Sequence, residues 1–375
     1  LLTTETCSWL CLDYLTKTRD GNILIAGFRY GQSAPYFTFP YLIKYTPQGN
    51  IVWAKSFDGL NIYPQNYADS YKCFELNDGS LLLAGDLAIP EPVNGREELA
   101  LWKLDANGNL QWVQTDSSSI WTQYSGSLFI KDCVQDPAGN IYLGGDQYAF
   151  DAIPTHSFVL KMDPAGNVQW DKSYASRSAR CYGIMFIGNE LAVIGSNMFV
   201  YIPDGSGNTT NYIWCMRVDP ATGDSLSVKA WYPDYGPYAG WNSISSIGTA
   251  QLLDNGNIAV FGNTLSDLGN PVMPYVHAAV AEFDPSFNYL QGWMIASNIK
   301  SNFYNTVVTE HATGRISYTY LTYVSGYDED ILYGAIEHGQ IIKERIVHQR
   351  NRSSAWTSNF LFFPGNEDIV GQYYG

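Results

Sequence analysis

Short apolar runs alternate along this chain with tight polar turns. Ile23-Leu24-Ile25-Ala26, Leu81-Leu82-Leu83-Ala84, Ile141-Tyr142-Leu143-Gly144 and Ile258-Ala259-Val260-Phe261 are such runs. A glycine turn precedes each: Asp20-Gly21-Asn22, Asp78-Gly79-Ser80, Ala138-Gly139-Asn140 and Asn255-Gly256-Asn257. A second turn carries a tryptophan, as Gly49-Asn50-Ile51-Val52-Trp53, Gly108-Asn109-Leu110-Gln111-Trp112 and Gly166-Asn167-Val168-Gln169-Trp170. Runs this short, apolar at every position, read as strands covered on both faces. The pair of turns returns with a period of about 50–60 residues. Repeats of that length, built from short strands and tight turns, predict a β-propeller.

Each repeat reads as four strands, A to D. In the second repeat these fall near 69–76, 80–87, 99–105 and 110–115. The A–B and C–D connections are short and rich in Gly, Asn and Asp, as in Asp105-Ala106-Asn107-Gly108-Asn109 and Asp163-Pro164-Ala165-Gly166-Asn167, which suits hairpins with a glycine at positive φ. Strand B is expected to end at Gly27, Gly85, Gly145, Gly195 and Gly262, then near Thr319 and Gly371, giving seven units. The expected fold is therefore all-β, a seven-bladed β-propeller of four-stranded antiparallel blades. It forms a single domain over 1–375, with blades at about 8–57, 69–115, 128–174, 180–231, 244–296, 303–347 and 355–375. The last blade is incomplete in this chain, and Leu1–Thr4 fall where the tail of an outer strand would lie.

The Gly-Asn-x-x-Trp units resemble the tryptophan-docking repeats of quinoprotein-like propellers. The repeat as a whole, over roughly residues 8–375, also resembles those of secreted and surface propellers common in Bacteroidota. The resemblance implies architecture and permits adhesion, glycan-handling or assembly roles without selecting among them.

The composition fits: 375 residues with 28 Tyr and 34 Gly is an all-β usage. A formal net charge of −15 repels phosphate backbones and argues against a nucleic-acid partner. No run of about 18 apolar residues predicts a membrane span. The chain opens at Leu1 without a charged-then-apolar leader, so a processed or partial product is expected. A secreted, cell-surface or periplasmic location is expected. The six cysteines are Cys7, Cys11, Cys73, Cys133, Cys181 and Cys215. Cys7 and Cys11 on one strand would stand roughly 13 Å apart, beyond the ~7 Å reach of a bridge. Cys73 and Cys133 each precede the next strand-B glycine by 12 residues. They are expected to be buried thiols between blades, with disulfide and metal readings as the alternatives.

Catalytic signals are sparse. His156, His277, His311, His338 and His348 are scattered in no zinc-ligand pattern. No Gly-x-Ser-x-Gly elbow or nucleophile–base pair emerges. Asp105-Ala106-Asn107-Gly108-Asn109 mimics the start of a calcium loop with Asp116 at its twelfth position, but the glycine falls at four instead of six. Turn-forming Asp and Asn is the reading adopted, with no metal and no cofactor expected. Asn208-Thr209-Thr210 and Asn351-Arg352-Ser353 fit the glycosylation triplet, a pattern that arises often by chance.

One asymmetry points to a partner. The B–C and D–A connections, which share one face, are long and aromatic. They carry Tyr30, Tyr36, Phe37, Tyr63, Tyr67, Tyr148, Phe150, Tyr201, Tyr232, Tyr235, Tyr238, Trp241 and Tyr275. Tyr and Trp offer large contact area at low entropic cost. The alternative is that these loops pack on one another. The expectation is a non-enzymatic binding or assembly module of a bacterial cell-surface, secretion or extracellular complex, with a protein or glycan partner. A carbohydrate-binding or carbohydrate-active propeller, with Asp151, Asp204 and Asp234 as hydroxyl-binding carboxylates or an acid/base pair, is the alternative. A quinoprotein-type oxidoreductase ranks third, because no matching cofactor ligands are found.

Overall fold

A computed structural model of the chain describes residues 10–30, 38–57, 72–88, 97–116, 128–147, 156–174, 179–201, 209–231, 244–266, 275–295, 300–301, 308–311, 315–325, 328–337, 340–347, 360–362 and 369–371. All regular structure among them is β. Two compact units divide the chain, Leu1–Arg177 and Ser178–Gly375.

The first unit holds three four-stranded antiparallel meanders. Sheet one is β1 (Leu10–Lys17), β2 (Ile23–Tyr30), β3 (Thr38–Tyr45) and β4 (Ile51–Ser56); sheet two is β5 (Lys72–Glu75), β6 (Leu81–Ala88), β7 (Glu97–Leu104) and β8 (Leu110–Asp116). Sheet three is β9 (Leu128–Gln135), β10 (Ile141–Gln147), β11 (His156–Met162) and β12 (Val168–Tyr174). The second unit opens with sheet four, β13 (Ala179–Ile187), β14 (Glu190–Tyr201), β15 (Thr209–Val218) and β16 (Ser225–Trp231). Sheet five follows with β17 (Ile244–Leu252), β18 (Ile258–Ser266), β19 (Tyr275–Phe283) and β20 (Tyr289–Ile295).

The regular pattern stops there: among the described residues five four-stranded sheets stand, where six and an incomplete seventh blade were expected. The next sheet has five strands: β21 (Lys300–Ser301), β22 (Val308–His311), β23 (Arg315–Ser325), β24 (Asp328–Glu337) and β25 (Gln340–Val347). The long β23 takes β22 along its first half and β21 near its end, so its inner partner is broken in two. A two-stranded ladder, β26 (Phe360–Phe362) with β27 (Ile369–Gly371), completes the described strands. Leu1–Thr4 and Cys7 lie outside the described residues.

The core lies between successive sheets. Leu24, Ala26 and Leu42 of sheet one pack with Cys73, Leu81, Leu83 and Trp102 of sheet two, joined by Trp53. Leu82, Leu99 and Leu101 of sheet two pack with Ile141, Leu143, Phe158 and Leu160 of sheet three, joined by Trp112 and Cys133. In the second unit Ala192, Ile194 and Ile213 pack with Ile258, Val260, Phe283 and Phe287. Alternate side chains of one strand thus enter different interfaces, which is why strand B must be apolar throughout.

The strand-B glycines do not end their strands, as the sequence suggested. β2 continues through Tyr30, β6 through Ala88, β10 through Gln147 and β14 through Tyr201. The glycine instead sits where strand A bulges and a strand-C ring crosses. A Cβ on Gly145 would lie 2.2 Å from the Phe129 carbonyl and 2.8 Å from the Phe158 ring. One on Gly195 would lie 2.3 Å from the Arg180 carbonyl and 2.1 Å from the Trp214 ring. The ladder slips there, between Gly144 and Gly145 in sheet three and between Cys181 and Gly183 in sheet four.

Most of the polar turns close in one way, and the Asp219–Asp224 turn is one residue longer. In Asp105–Asn109 the first residue's N–H donates to the fifth carbonyl at 2.8 Å, and the Gly108 N–H donates back to the Asp105 carbonyl at 2.9 Å. Asp105 Oδ1 accepts from the N–H groups of Asn107 and Asn109, and Oδ2 accepts from Asn109 Nδ2. Asp136, Asp163 and Asp284 bind Asn140, Asn167 and Asn288 alike. These hydrogen bonds hold the Asp105, Asp163 and Asp284 carboxyls below the ordinary carboxylate range. The fourth turn residue has positive φ, +75° at Gly108 and +90° at Gly166. In the Asp284 turn that residue is Phe287, at φ 58°.

Trp53, Trp112 and Trp170 occupy equivalent slots, opposite Lys44, Lys103 and Lys161 on strand C, and all three are half-buried. Each of the first two rings lies on the next sheet's C–D turn. A Cβ on Gly108 would lie 3.1 Å from the Trp53 ring, and one on Gly166 2.8 Å from the Trp112 ring. Lysines tie the same turns: Lys55 Nζ donates to Asn109 Oδ1 at 3.2 Å, and Lys103 Nζ to the Pro164 carbonyl at 3.2 Å. Arg19 does so for the A–B turns, donating to the carbonyls of Leu76 and Asn77 at 3.1 and 2.8 Å.

Two tests follow. Gly49 has φ +84° with nothing within 4 Å of an added Cβ, whereas Gly166 meets the Trp112 ring. Gly49→Ala should cost about 1–2 kcal/mol of left-handed strain, and Gly166→Ala about 1–3 kcal/mol more from overpacking. Urea unfolding measures both, and equal losses would show that Trp112 does not dock. Cys73, Cys133, Cys181 and Cys215 are free, Cys133 half-buried and the others buried. At least these four thiols should label slowly when folded and fully when unfolded without reductant; labelling that needs reductant would refute the free-thiol assignment.

Candidate functional site

The loop face was expected at the strand ends opposite the Asx turns. Strands reach further into it than expected. Tyr30 ends β2 opposite Thr38, and Tyr275 opens β19 opposite Ser266. The segment from Asn197 was expected as loop, but pairing resumes after an irregularity, with Val200 opposite Thr210 and Tyr201 opposite Thr209. β-Branched and aromatic residues opposite threonines favour such pairing. Tyr36, Phe37, Tyr63, Tyr67, Tyr148, Phe150, Tyr232, Tyr235, Tyr238 and Trp241 lie outside the described residues, as do Asp151, Asp204 and Asp234.

Sheet three brings polar groups to this edge that the sequence reading missed. Asp146, Gln147, His156 and Ser157 are all buried. Asp146 pairs with Ser157 and Gln147 with His156 across β10 and β11. Lys131, the bulged residue of β9, places Nζ 3.8 Å from Asp146 Oδ2 and 5.4 Å from the Phe129 ring centre. Burial pushes the His156 imidazole below its ordinary pKa, toward the neutral form. In sheet four, Asn197 Nδ2 donates to Tyr212 Oη at 2.7 Å. The available signal was the polar pair directly after the strand-B glycine, Asp146-Gln147 after Gly145, as Ser196-Asn197 follows Gly195 and Asn263-Thr264 follows Gly262.

A second cluster lies on the first strands of the three sheets in the first unit. Lys72 Nζ stands 5.2 Å from the Tyr14 ring centre and donates to the Lys131 carbonyl at 2.8 Å. Burial first, then the Asp132 carboxylate, pushes the Tyr14 phenol well above its ordinary range. Cys73 and Cys133 share a slot, opposite Leu83 and Leu143. Burial raises both thiols, with Glu75 adding to Cys73 and Asp132 to Cys133. Thiols held neutral are poor nucleophiles and poor metal ligands. Among the described residues no group of three His, Cys, Asp or Glu is placed to hold a metal ion. Asp105 has both oxygens engaged in its turn, and Asp116 closes the opposite end of β8, roughly 20 Å along the strand.

No protein-family model matches the chain, and no curated protein matches it in sequence. Solved structures do match. An ulvan lyase bound to -[GlcA(1-4)Rha3S]- shares 13% identity at a TM-score of 0.57, covering 94% of this chain and 89% of that one. An α-L-arabinanase of Penicillium chrysogenum, complexed with arabinobiose, shares 12% at 0.54, covering 88% and 94%. Drosophila Semaphorin 2a shares 10% at 0.55, covering 97% and 72%. These are β-propeller proteins, and the all-β meanders of this chain share their fold. No helix among the described residues is long and apolar enough to cross a membrane.

The Tyr14 phenol should ionise above pH 10 in the native protein. Asp132→Asn should lower that ionisation without restoring the ordinary value, because burial is the larger cause. A titration of tyrosinate absorbance checks this; an unchanged curve would separate the two groups.

Proposed function

We propose that the chain is one seven-bladed propeller domain over 1–375, its last blade incomplete. The five four-stranded meanders, followed by the β21–β25 sheet and the β26–β27 ladder, support that count. It acts as a non-enzymatic binding or assembly module of a bacterial cell-surface, secretion or extracellular complex. The observation that carries this is the concentration of Tyr and Trp on the connections of one sheet edge, above all Tyr232-Pro233-Asp234-Tyr235-Gly236-Pro237-Tyr238-Ala239-Gly240-Trp241. Aromatic side chains presented together on loops supply the anchors of an interface.

A carbohydrate-binding or carbohydrate-active role is the second reading. Two propellers of similar fold are an ulvan lyase and an arabinanase, each solved with a saccharide. The same aromatic residues would stack on sugar rings, with Asp151, Asp204 and Asp234 taking hydroxyl groups. The two readings separate by experiment. Affinity capture from the producing cell's envelope should recover a stoichiometric protein, lost when Tyr235, Tyr238 and Trp241 are changed together to Ala. Glycan-array binding lost in that same variant would favour the second reading, and saccharide turnover would overturn the non-enzymatic one.

A further inference from the structure

Eight of the nine large apolar side chains that stand exposed among the described residues lie in the last strands of the four-stranded sheets: Ile51, Val52, Leu110, Val168, Leu226, Val228, Tyr289 and Leu290. These are edge strands, each paired on one side only among the described residues. β16 stands apart from the rest. Six of its seven residues are exposed, with Leu226 at 54% and Val228 at 62%. Its docking slot, opposite Arg217, holds Ser227 in place of a tryptophan.

From Ser227 onward the pairing is regular, with Val228 and Ala230 on one face and Ser227 and Lys229 on the other, after a bulge at Leu226. Natural edge strands are guarded by outward charges, proline or a bulge against pairing with another chain. A bulge at Leu226 guards only the start of β16; the regular stretch from Ser227 to Trp231 has one charge, and it is committed elsewhere: Lys229 Nζ donates to Asn288 Oδ1 and, at 3.3 Å, to the Ser286 carbonyl. Arg217 on the neighbouring strand donates to the Pro285 carbonyl. The hairpin turn at the start of β16 carries two carboxylates, Asp219 and Asp224, and its chain has a net charge of −15. A second copy would bring the same charge against itself, whereas a basic segment is attracted.

We infer that β16 is a docking strand for an extended, basic segment of another protein. The segment adds a strand to sheet four by main-chain hydrogen bonds, lays alternate apolar side chains over Val228 and Ala230, and sets a lysine or arginine beside Asp224. The inference does not rest on the role proposed for the aromatic loops.

The test uses the whole chain and fluorescent heptapeptides, Lys-Val-Thr-Val-Thr-Val-Lys and its Glu-flanked counterpart, followed by anisotropy. The lysine peptide should bind, and the glutamate peptide about tenfold or more weakly. N-methylation of one alternating set of peptide amides should abolish binding while the other set is tolerated, since only one edge of an added strand pairs. Val228→Lys should weaken binding about tenfold or more with the thermal transition unchanged; Val228→Thr, which keeps the branched shape, serves if the first variant does not fold. Absence of binding, equal binding of both peptides, or equal loss from both methylated sets would overturn the inference. So would a sedimenting dimer that Val228→Lys dissolves, because the strand would then belong to a second copy.

Discussion

The seating of a C–D turn against the preceding sheet is the interaction on which the repeat depends. The turn needs its fourth residue at positive φ to close, and that residue has no side chain in the way when it is glycine. A half-buried tryptophan one repeat earlier covers the bare backbone, as Trp53 covers Gly108 and Trp112 covers Gly166. Lysine ammonium groups then tie the same turn, Lys55 to Asn109 and Lys103 to Pro164. The partners lie 54 and 61 residues apart, so the repeat period is set by the spacing that lets one sheet reach the next turn.

The second unit shows the same contact with its parts exchanged. Sheet four has Ser227 in the tryptophan slot, and sheet five has Phe287 in place of the glycine. Left-handed backbone costs a phenylalanine about 1–2 kcal/mol. The ring offsets that by full burial and by stacking on Phe283 at 4.2 Å. The tryptophan reappears at Trp231, four residues along β16, stacked on Tyr289 at 4.7 Å and edge-on to Phe283 at 5.1 Å. A charge exchange accompanies it. Lys44 pairs with Asp20 at 2.7 Å in sheet one, but sheet five places Glu282 in that slot, where it accepts from Asn257 and Gln291. A buried cation or a buried anion is tolerated equally when its partners supply the matching hydrogen bonds.

The polar groups at the loop edge follow a different rule. Sheets bury apolar side chains along most of their length, and Asp146, Gln147, His156 and Ser157 in sheet three, like Ser196 and Asn197 in sheet four, break that rule at the strand ends. Burial favours the neutral form of His156, and Asp146 is balanced by Lys131. Such groups specify a local arrangement more than they add stability. They lie beside the connections on which the aromatic residues are concentrated, where variation leaves the meander intact.

Sequence by itself determined the repeat, the strand order within the five four-stranded sheets and the place of most of their tight turns, because hairpin closure is local: Asp105, Gly108 and Asn109 act within five residues. The slots of Trp53, Trp112 and Trp170 and of Cys73 and Cys133 were legible for the same reason, being offsets within one repeat. Strand ends were not. Gly145 reads as a terminator in sequence, and only packing shows it as the point where the Phe129 carbonyl and the Phe158 ring converge. The burial of Asp146 and His156, the exchange of Trp–Gly for Ser–Phe and the exposure of β16 were likewise decided by tertiary structure. Each depends on what a neighbouring sheet, some 50–60 residues away, brings to the same point in space.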